Sequence, residues 1–399
     1  MSKQLRIWLF ALLATLLASS TLLAEGVITM TTSKAVGETI LLRVVANGNV
    51  SIEGAQETGQ ANESGFKPYR LTSQTITIRG DVTELDCNEN QLTSLDVSKN
   101  TALEILYCSD NKLISLDVSK NTALTELNGY NNQLISLDVS KNIALKELYC
   151  GENQLTSLDV SKNTALTKLD CCCNQLTSLE VSKNTALEVL NCFSNQLTSL
   201  EVSKNTALTK LWCSYNQLTS LDLSQNIALT KLDCSYDQLT SLDVSGCTAL
   251  TELNCINNQL TSLDVSKNTA LTDLDCSSNQ LTSLDVSKNT ALTVLMCPDN
   301  QLTSLDVSKN TALESLDCSI NQLASLNISG CARLEDLYCF SNCINGEAMT
   351  KLVNSLPNRK GMSSGTLCVV SRFSKKSDKN RCSAADVTTA RKKNWEVQQ

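Results

Sequence analysis

Cysteine is the residue type in this sequence with the widest range of possible chemistry. The 399 residues include 19 cysteines and no histidine, which excludes Ser-His-Asp and Cys-His nucleophiles and histidine-ligated zinc. Twelve of the cysteines recur at a spacing of 21 residues, or twice that across Gly129, and each follows a leucine by two residues. This alternation places them on the buried side of an extended segment. They are Cys87, Cys108, Cys150, Cys171, Cys192, Cys213, Cys234, Cys255, Cys276, Cys297, Cys318 and Cys339.

The regular spacing favours a structural role for this cysteine column over metal or redox chemistry. A straight column does not supply the tetrahedral cluster of thiolates that zinc requires. Neighbouring Cβ atoms at a strand spacing of ~4.8 Å also lie farther apart than the roughly 3.5–4.5 Å that a disulfide prefers. We therefore predict a row of small, buried hydrophobic side chains.

Other cysteines follow different patterns. Cys172 and Cys173 fall where the alternation predicts outward-pointing side chains, so we expect exposed thiols open to oxidation or metal capture. Cys343, Cys368 and Cys382 lie near the end of the sequence, and a disulfide between Cys343 and Cys382 is a hypothesis for that segment.

The elements that must position these residues are copies of one 21-residue unit, of which LTKLWCSYNQLTSLDLSQNIA (208–228) is typical. Each unit contains two stretches in which apolar and polar residues alternate, and this period of two predicts short extended segments. A lone unit buries too little apolar surface to fold, so the units must stack. They begin at Val82, Leu103, Leu124, Leu145, Leu166, Leu187, Leu208, Leu229, Leu250, Leu271, Leu292, Leu313 and Leu334.

Asparagine columns at the ninth and nineteenth positions of the unit predict hydrogen-bonded ladders, because an amide both donates to and accepts from neighbouring turns. The ninth position is asparagine in every unit except the one containing Asp237. Cys247 and Cys331 replace asparagine at the nineteenth position, where a thiol is a small, weak donor. Columns of Asp or Glu at the fifteenth position and Lys at the eighteenth are interpreted as a solvated face, with a calcium-binding stripe as the alternative.

The unit resembles the leucine-rich-repeat pattern L-x-x-L-x-L-x-x-N/C-x-L, with cysteine in place of the third leucine. It is most similar to the short, nested repeats of internalin-like secreted bacterial proteins, and the resemblance covers residues 82–344. It implies a mainly β fold, namely a right-handed leucine-rich-repeat solenoid of about thirteen coils. It also implies a role in binding protein partners.

The sequences on either side of the repeats have other compositions. Residues 1–24 carry Lys3 and Arg6 ahead of an apolar run and small residues, which predicts a cleavable signal peptide and a secreted or cell-surface protein. Residues 25–81 contain β-forming runs and predict a β-rich N-terminal cap. Residues 345–399 predict a small α/β C-terminal cap, with helices in GEAMTKLVNSL and SAADVTTARKK that are each followed by an extended run.

The variable positions of the unit carry the predicted interaction surface. All nine aromatic residues of the array lie at the fifth, seventh and eighth positions, and lysines occupy the third position at mid-array, between acidic flanks. Exposed aromatic side chains on a rigid sheet are typical of recognition surfaces, although β propensity and cross-strand packing are an alternative explanation. The candidate partner-binding residues of this basic, aromatic centre are Tyr149, Lys168, Phe193, Lys210, Trp212, Tyr215, Lys231 and Tyr236.

These features predict a non-enzymatic binding protein that recognises a protein partner in adhesion or host interaction. A glycan-binding module and a structural spacer of a cell-surface protein are the alternatives. A net charge of −8 argues against nucleic acid as a partner. Glycoside hydrolysis is disfavoured because the repeats present many equivalent carboxylates rather than one pair in a cleft. We predict no cofactor, no metal site and no membrane span in the mature chain.

Overall fold

The leucines of each repeat point into a common interior, so successive repeats stack as turns of a solenoid. The computed structural model describes residues 26–370 and 378–398. The fold is a mainly β solenoid of about twelve turns with few helices, which confirms the predicted architecture. The predicted signal peptide at residues 1–24 lies outside the described residues. The chain divides into two compact units, Met1–Asn132 and Gln133–Gln399.

The first unit combines antiparallel strands with the first turns of the solenoid. Its strands are β1 (Val27–Thr32), β2 (Thr39–Ala46), β3 (Ser51–Glu53), β4 (Ala55–Glu57), β5 (Lys67–Leu71), β6 (Thr75–Arg79), β7 (Val82–Asp86), β8 (Leu92–Lys99), β9 (Ile105–Tyr107) and β10 (Glu126–Asn128). Antiparallel pairing gives one set in the order β3, β6, β1, β8 and another in the order β4, β5, β2, β7. The parallel sheet of the solenoid begins with β7, β9 and β10.

The antiparallel strands cover the first repeat by pairing with both of its extended stretches. β7 and β8 are those two stretches, and they bind β2 and β1 respectively. An open first turn would expose unpaired backbone groups to any other strand. Pairing with β1 and β2 supplies partners to these groups in both stretches of the first repeat.

A parallel sheet runs through the second unit. Each repeat contributes a three-residue strand at its third to fifth positions, and neighbouring strands pair in register, as Leu211 does with Leu190 and Leu232. The leucine in the middle of each strand is buried, whereas its two neighbours are half-exposed. The strands are β11 (Glu147–Tyr149), β12 (Lys168–Asp170), β13 (Val189–Asn191), β14 (Lys210–Trp212), β15 (Lys231–Asp233), β16 (Glu252–Asn254), β17 (Asp273–Asp275), β18 (Val294–Met296), β20 (Ser315–Asp317) and β22 (Asp336–Tyr338).

The second stretch of the repeat contributes little to the sheets of this unit. Among the described residues, it pairs at β19 (Ser304–Asp306) with β21 (Ser325–Asn327), and through one bridge between Glu180 and Glu201. The carboxylate at the fifteenth position accepts a hydrogen bond from the serine N–H at the seventeenth, as Asp243 does from Ser245 at 2.9 Å. This local bond turns the chain after the stretch.

The interior is filled by leucine, valine and cysteine. All twelve cysteines of the column have no exposed surface, which confirms their predicted structural role. Their thiols lie near the carbonyl of the next coil, and Cys255 Sγ is 3.5 Å from the Asp275 carbonyl oxygen. Burial raises the pKa of these thiols, for Cys108 to about 12, so they stay protonated and unreactive at neutral pH.

The asparagine ladders bind backbone groups of adjacent coils. Asn216 Nδ2 donates to the carbonyls of Cys192 and Cys213 at 3.1 and 2.8 Å, and its Oδ1 accepts from the Leu197 N–H at 2.9 Å. The same pattern recurs along the ninth position. At the nineteenth position, Cys331 Sγ lies 3.3 Å from the Val307 carbonyl, the weak substitute for the amide that the sequence predicted.

The C-terminal segment continues the parallel sheet with two helix–strand pairs. It contains α1 (Gly346–Ser355), β23 (Gly365–Cys368), α2 (Ala384–Lys392) and β24 (Trp395–Gln398). β23 pairs with β22, and β24 pairs with β23. A capping box between Ser383 and Asp386 starts α2. None of the helices in the described ranges is long and apolar enough to cross a membrane.

Two predictions about cysteines are wrong. Cys172 is buried, with 5% of its surface exposed, because the chain turns after the strand and the Cys172 N–H binds Asp170 Oδ1 at 3.1 Å. Cys173 is half-buried. The described residues contain no disulfide between Cys343 and Cys382: both are thiols. Residues 379–381 lie beside residues 342–344 in a register that leaves Cys382 beyond Cys343.

Candidate functional site

The variable residues of the repeat lie along the outer side of the parallel sheet in the second unit. Because side chains alternate along a strand, the third and fifth positions point away from the buried leucine between them. They are half-exposed in every strand from β11 to β18. We call this surface the strand face.

Three aromatic rings form a contiguous cluster at the edge of the strand face, which we call the aromatic stack. The rings of Phe193 and Tyr215 meet edge to face with centroids 5.2 Å apart. Those of Tyr215 and Tyr236 are stacked with centroids 4.2 Å apart. Tyr215 and Tyr236 are 47% and 40% exposed, so the stack presents aromatic surface to solvent.

The backbone holds the two tyrosines of the stack in an unusual conformation. The eighth position of the repeat has positive φ in every coil of this unit from Glu152 to Ser341, with a value of 55° at both Tyr215 and Tyr236. A side chain in this left-handed region is sterically disfavoured, so other interactions must hold it there. Backbone hydrogen bonds between coils do so, since the Tyr215 N–H donates to the Ser235 carbonyl at 2.9 Å.

Next to the aromatic stack, a cavity of about 530 Å³ crosses the strand face from β14 to β18, and we call it the strand-face groove. Trp212 lines it at β14, and Val294 and Met296 line it at β18. The buried leucines of the intervening strands form the floor. Its polar lining residues are Lys231, Asp233, Glu252, Asn254, Asp273 and Asp275.

The lysines of the predicted basic centre are mostly paired with carboxylates of neighbouring coils. Lys231 Nζ lies 2.5 Å from Glu252 Oε1, and Lys168 Nζ lies 2.9 Å from Glu147 Oε1. Glu147 also accepts a hydrogen bond from the Tyr149 hydroxyl at 2.6 Å. Lys210 stands beside Lys231 in the register of the sheet and forms no ion pair within the described residues. The centre is therefore less basic than its residue types suggest.

The structure sorts the eight sequence-predicted residues into three groups. Phe193, Tyr215 and Tyr236 form the aromatic stack, and Trp212 and Lys231 line the strand-face groove. Tyr149 and Lys168 are joined through Glu147 on strands β11 and β12. Lys210 lies on β14, the strand that carries Trp212.

Two carboxylates at the fifth position, Asp233 and Asp275, also line the site, although the repeat pattern alone did not predict them. Each accepts a hydrogen bond at Oδ1 from the backbone N–H two residues later, at 3.0 Å in both cases. Burial raises the pKa of Asp275 above its ordinary value, although its bonds to Ser277 oppose the shift. The Asp-Cys-Ser triplet at the fifth to seventh positions of these two repeats is the sequence feature that could have indicated them.

Asp237 lies in the asparagine ladder directly after Tyr236 of the stack. Its Oδ1 accepts from the Leu218 N–H at 2.9 Å, as an asparagine would. Its buried Oδ2 has no hydrogen-bond partner, because a carboxylate cannot donate to the carbonyls that the asparagines bind. Burial raises the pKa of Asp237 to about 7, and the nearby charge of Asp233 adds to the shift.

The described ranges contain no group of three or more Cys, Asp or Glu side chains arranged to bind a metal ion. The carboxylates of the fifteenth column are engaged in local turns, and their bonds to serine lower the pKa of residues such as Asp243 and Asp264. The strand face presents aromatic, apolar and charged side chains to solvent.

Comparison with known proteins relates this geometry to one family. The family model for leucine-rich repeats in two copies matches residues 143–184. No curated protein sequence matches the chain at a significant level.

Three solved structures are similar over most of the chain. A functional domain of InlJ from Listeria monocytogenes, which includes a cysteine ladder, is 36% identical, with a TM-score of 0.61 over 75% of this chain and 77% of that one. A leucine-rich-repeat protein of Leptospira interrogans is 25% identical, with a TM-score of 0.67 over 79% and 83%. The internalin InlF from Listeria monocytogenes is 21% identical, with a TM-score of 0.63 over 79% and 86%, and this likeness concerns the fold alone.

Proposed function

Because the chain belongs to the leucine-rich-repeat family and is similar to internalin-like members of it, we propose that it is a non-enzymatic protein that binds a protein partner through the strand face. We further propose that it acts outside the cell, in adhesion or host interaction. The signal-like pattern of residues 1–24 supports export.

The observation that carries this proposal is the aromatic stack beside the strand-face groove. The residues that are constant between repeats pack in the core or form the asparagine ladders. The residues that vary between repeats lie on this surface. Aromatic side chains bury large areas with little loss of conformational entropy, and they are enriched among the residues that dominate binding energies. Parallel strands paired in register also hold these side chains in fixed positions before a partner arrives.

The test is capture of partners by the immobilised full chain from extracts of cell-surface proteins. The variant Phe193→Ala/Trp212→Ala/Tyr236→Ala should lose captured proteins that the wild type retains. It also removes two ring contacts, each worth roughly 0.5–1.5 kcal/mol, so a small drop in the unfolding midpoint is expected. Circular dichroism must show that the variant is folded at the temperature of capture.

A matched control removes exposed apolar side chains outside the strand face. Ile143 and Ile227 occupy the twentieth position and are 63% and 64% exposed. The variant Ile143→Ala/Ile227→Ala should capture the same proteins as the wild type. If the aromatic variant retains every captured protein, binding through this surface is disproved.

A glycan array run in parallel tests the alternative of a glycan-binding module. The carboxylates and Asn254 beside Trp212 are groups that can bind sugar hydroxyls, which makes this alternative specific to the strand-face groove. Array binding that depends on Trp212, with no protein captured, would favour it. If neither assay shows binding, a structural spacer becomes the better account.

A further inference from the structure

We propose that the strand-face groove accepts an arginine side chain from an extended segment of the protein partner. This proposal rests on the proposed function and specifies the chemistry of its partner. It follows from the volume of the groove, from its charge and from the apolar side chains that stand beside its carboxylates.

The groove, which crosses five strands, has room for a side chain. Its volume of about 530 Å³ exceeds that of one amino-acid side chain, so it has room for an arginine and part of its backbone. Val294 and Met296 offer apolar surface to the aliphatic stem of the arginine. The carboxylates of Asp273 and Asp275 stand beside Val294 and Met296 in the register of the sheet, so they can receive the guanidinium. Trp212 lies three strands from β17, where it can contact a second residue of the extended segment.

The polar lining has a strong negative balance. Four carboxylates and one ammonium line the groove, which gives a formal charge of −3. The ammonium of Lys231 is paired with Glu252, so Asp233, Asp273 and Asp275 have no lysine or arginine partner among the described residues. Only a cationic ligand offsets this charge without a large cost of desolvation.

The fifth-position carboxylates are prepared to bind a planar donor group. Asp233 and Asp275 each use Oδ1 to accept from a serine, and this bond fixes the orientation of the carboxylate. The second oxygen of Asp275, whose strand pairs with β18, can then accept from the guanidinium, whose N–H groups match carboxylates in a fixed geometry. The positive charge of a guanidinium would stabilise the ionised carboxylate of Asp275 and so oppose the effect of burial, which raises the pKa of this residue.

Carboxylates alone do not make this site, as the opposite column shows. The fifteenth position carries an acidic residue in nearly every coil, and Asp222 and Asp243 line a cavity there as well. That cavity has a volume of only about 150 Å³, and no aromatic residue lines it. The strand-face groove differs in combining the charges with an indole ring, an apolar wall and sufficient volume.

The experiment measures binding of a fluorescein-labelled peptide, Gly-Arg-Gly-Arg-Gly, to the full chain by fluorescence anisotropy. We expect saturable binding, and binding at least about tenfold weaker for the same peptide with citrulline in place of arginine, because citrulline keeps the shape but loses the charge. The variant Asp273→Asn/Asp275→Asn should also weaken binding of the arginine peptide by about tenfold or more.

A matched variant separates local recognition from general attraction. Asp264→Asn/Asp285→Asn removes the same charge from the fifteenth position, where Asp285 accepts from the Ser287 N–H just as Asp275 accepts from Ser277. It should bind the peptide within about twofold of the wild type. Equal weakening by both double variants, equal binding of the citrulline peptide, or no binding at millimolar arginine peptide would overturn the proposal.

The outcomes also separate this proposal from the broader one. If the peptide fails to bind but protein capture still depends on Phe193, Trp212 and Tyr236, the arginine site is wrong and the proposed function stands. If the peptide binds as expected but no protein is captured, the groove recognises arginine and the proposed function is wrong.

Discussion

Replacing Asp237 by asparagine should stabilise the protein, and by more at high pH than at low pH. Asp237 is the one carboxylate in the ninth-position ladder, and its Oδ2 faces backbone carbonyls without donating to them. An asparagine there can donate to the Cys213 and Cys234 carbonyls, as Asn216 does to Cys192 and Cys213. The substitution therefore supplies the missing donor and removes a buried charge.

The size and sign of the effect follow from the pKa of Asp237. Burial raises that pKa from 3.8 to about 7, so folding favours the protonated carboxyl, which donates as an amide would. The stabilisation from this proton is complete below pH ~4 and is lost as the pH rises through ~7. Three pKa units correspond to about 4 kcal/mol, and partial solvent screening reduces the expected loss to about 2 kcal/mol.

Urea unfolding at pH 4 and pH 9 measures this difference. Asp237→Asn should exceed the wild type by about 2 kcal/mol in unfolding free energy at pH 9 and by less than about 0.5 kcal/mol at pH 4. The reverse substitution in an intact rung, Asn300→Asp, should destabilise the protein mainly at pH 9, because Asn300 Nδ2 donates to the Cys276 carbonyl at 3.0 Å. An equal gain at both pH values, or no gain at pH 9, would refute the reasoning.

Three further predictions concern the core, the ladder and the strand face. In the folded chain, a thiol reagent should rapidly label only Cys173, Cys343 and Cys382, because the other cysteines are buried; after unfolding it should label all 19. Rapid labelling of the cysteine column in the folded chain would contradict its packing. Asn279→Ala removes bonds to the Cys255, Cys276 and Ser277 carbonyls and should cost about 3 kcal/mol in urea unfolding, whereas the exposed Gln280→Ala should change stability by less than about 0.5 kcal/mol. Tyr215→Ala breaks both ring contacts of the aromatic stack and should lower the free energy of unfolding by about 1–2 kcal/mol. Tyr149→Ala, outside the stack, should lower it by less, and equal losses would show that the stack adds no stability.

The solenoid was predictable because the same pattern of apolar and polar residues recurs in every repeat. Leucine spacing predicted the stacking of turns, and the alternation of Cys255 or Cys276 with leucine predicted the buried column. The helix–strand pairs at the C-terminal end were also readable, because their composition departs from the repeat. Which stretch forms the main sheet was not readable, since both alternate with a period of two. In the second unit the first stretch forms the continuous sheet, whereas the second stretch pairs, among the described residues, at β19 with β21 and at one bridge.

The candidate site was harder to predict because it depends on contacts between side chains of neighbouring coils. Alternation predicted that Cys172 points outward, but the chain turns after the sixth position and buries it. The lysines were read as a basic centre, yet Lys168 and Lys231 are paired across strands with glutamates. The excess of carboxylates in the groove could not be predicted, because the sequence does not show that residues of β14 to β18 line one groove.

The strand face of the second unit, and not the surface formed by the second stretches of the repeat, should contact the protein partner. Hydrogen–deuterium exchange of the full chain with and without a captured partner tests it most directly. We predict that partner binding slows exchange in short peptides that cover the strands β14 to β17 or the turns at Tyr215 and Tyr236, with no change in peptides covering the second stretches at residues 221–225 and 242–246. Protection confined to those second stretches would contradict the account.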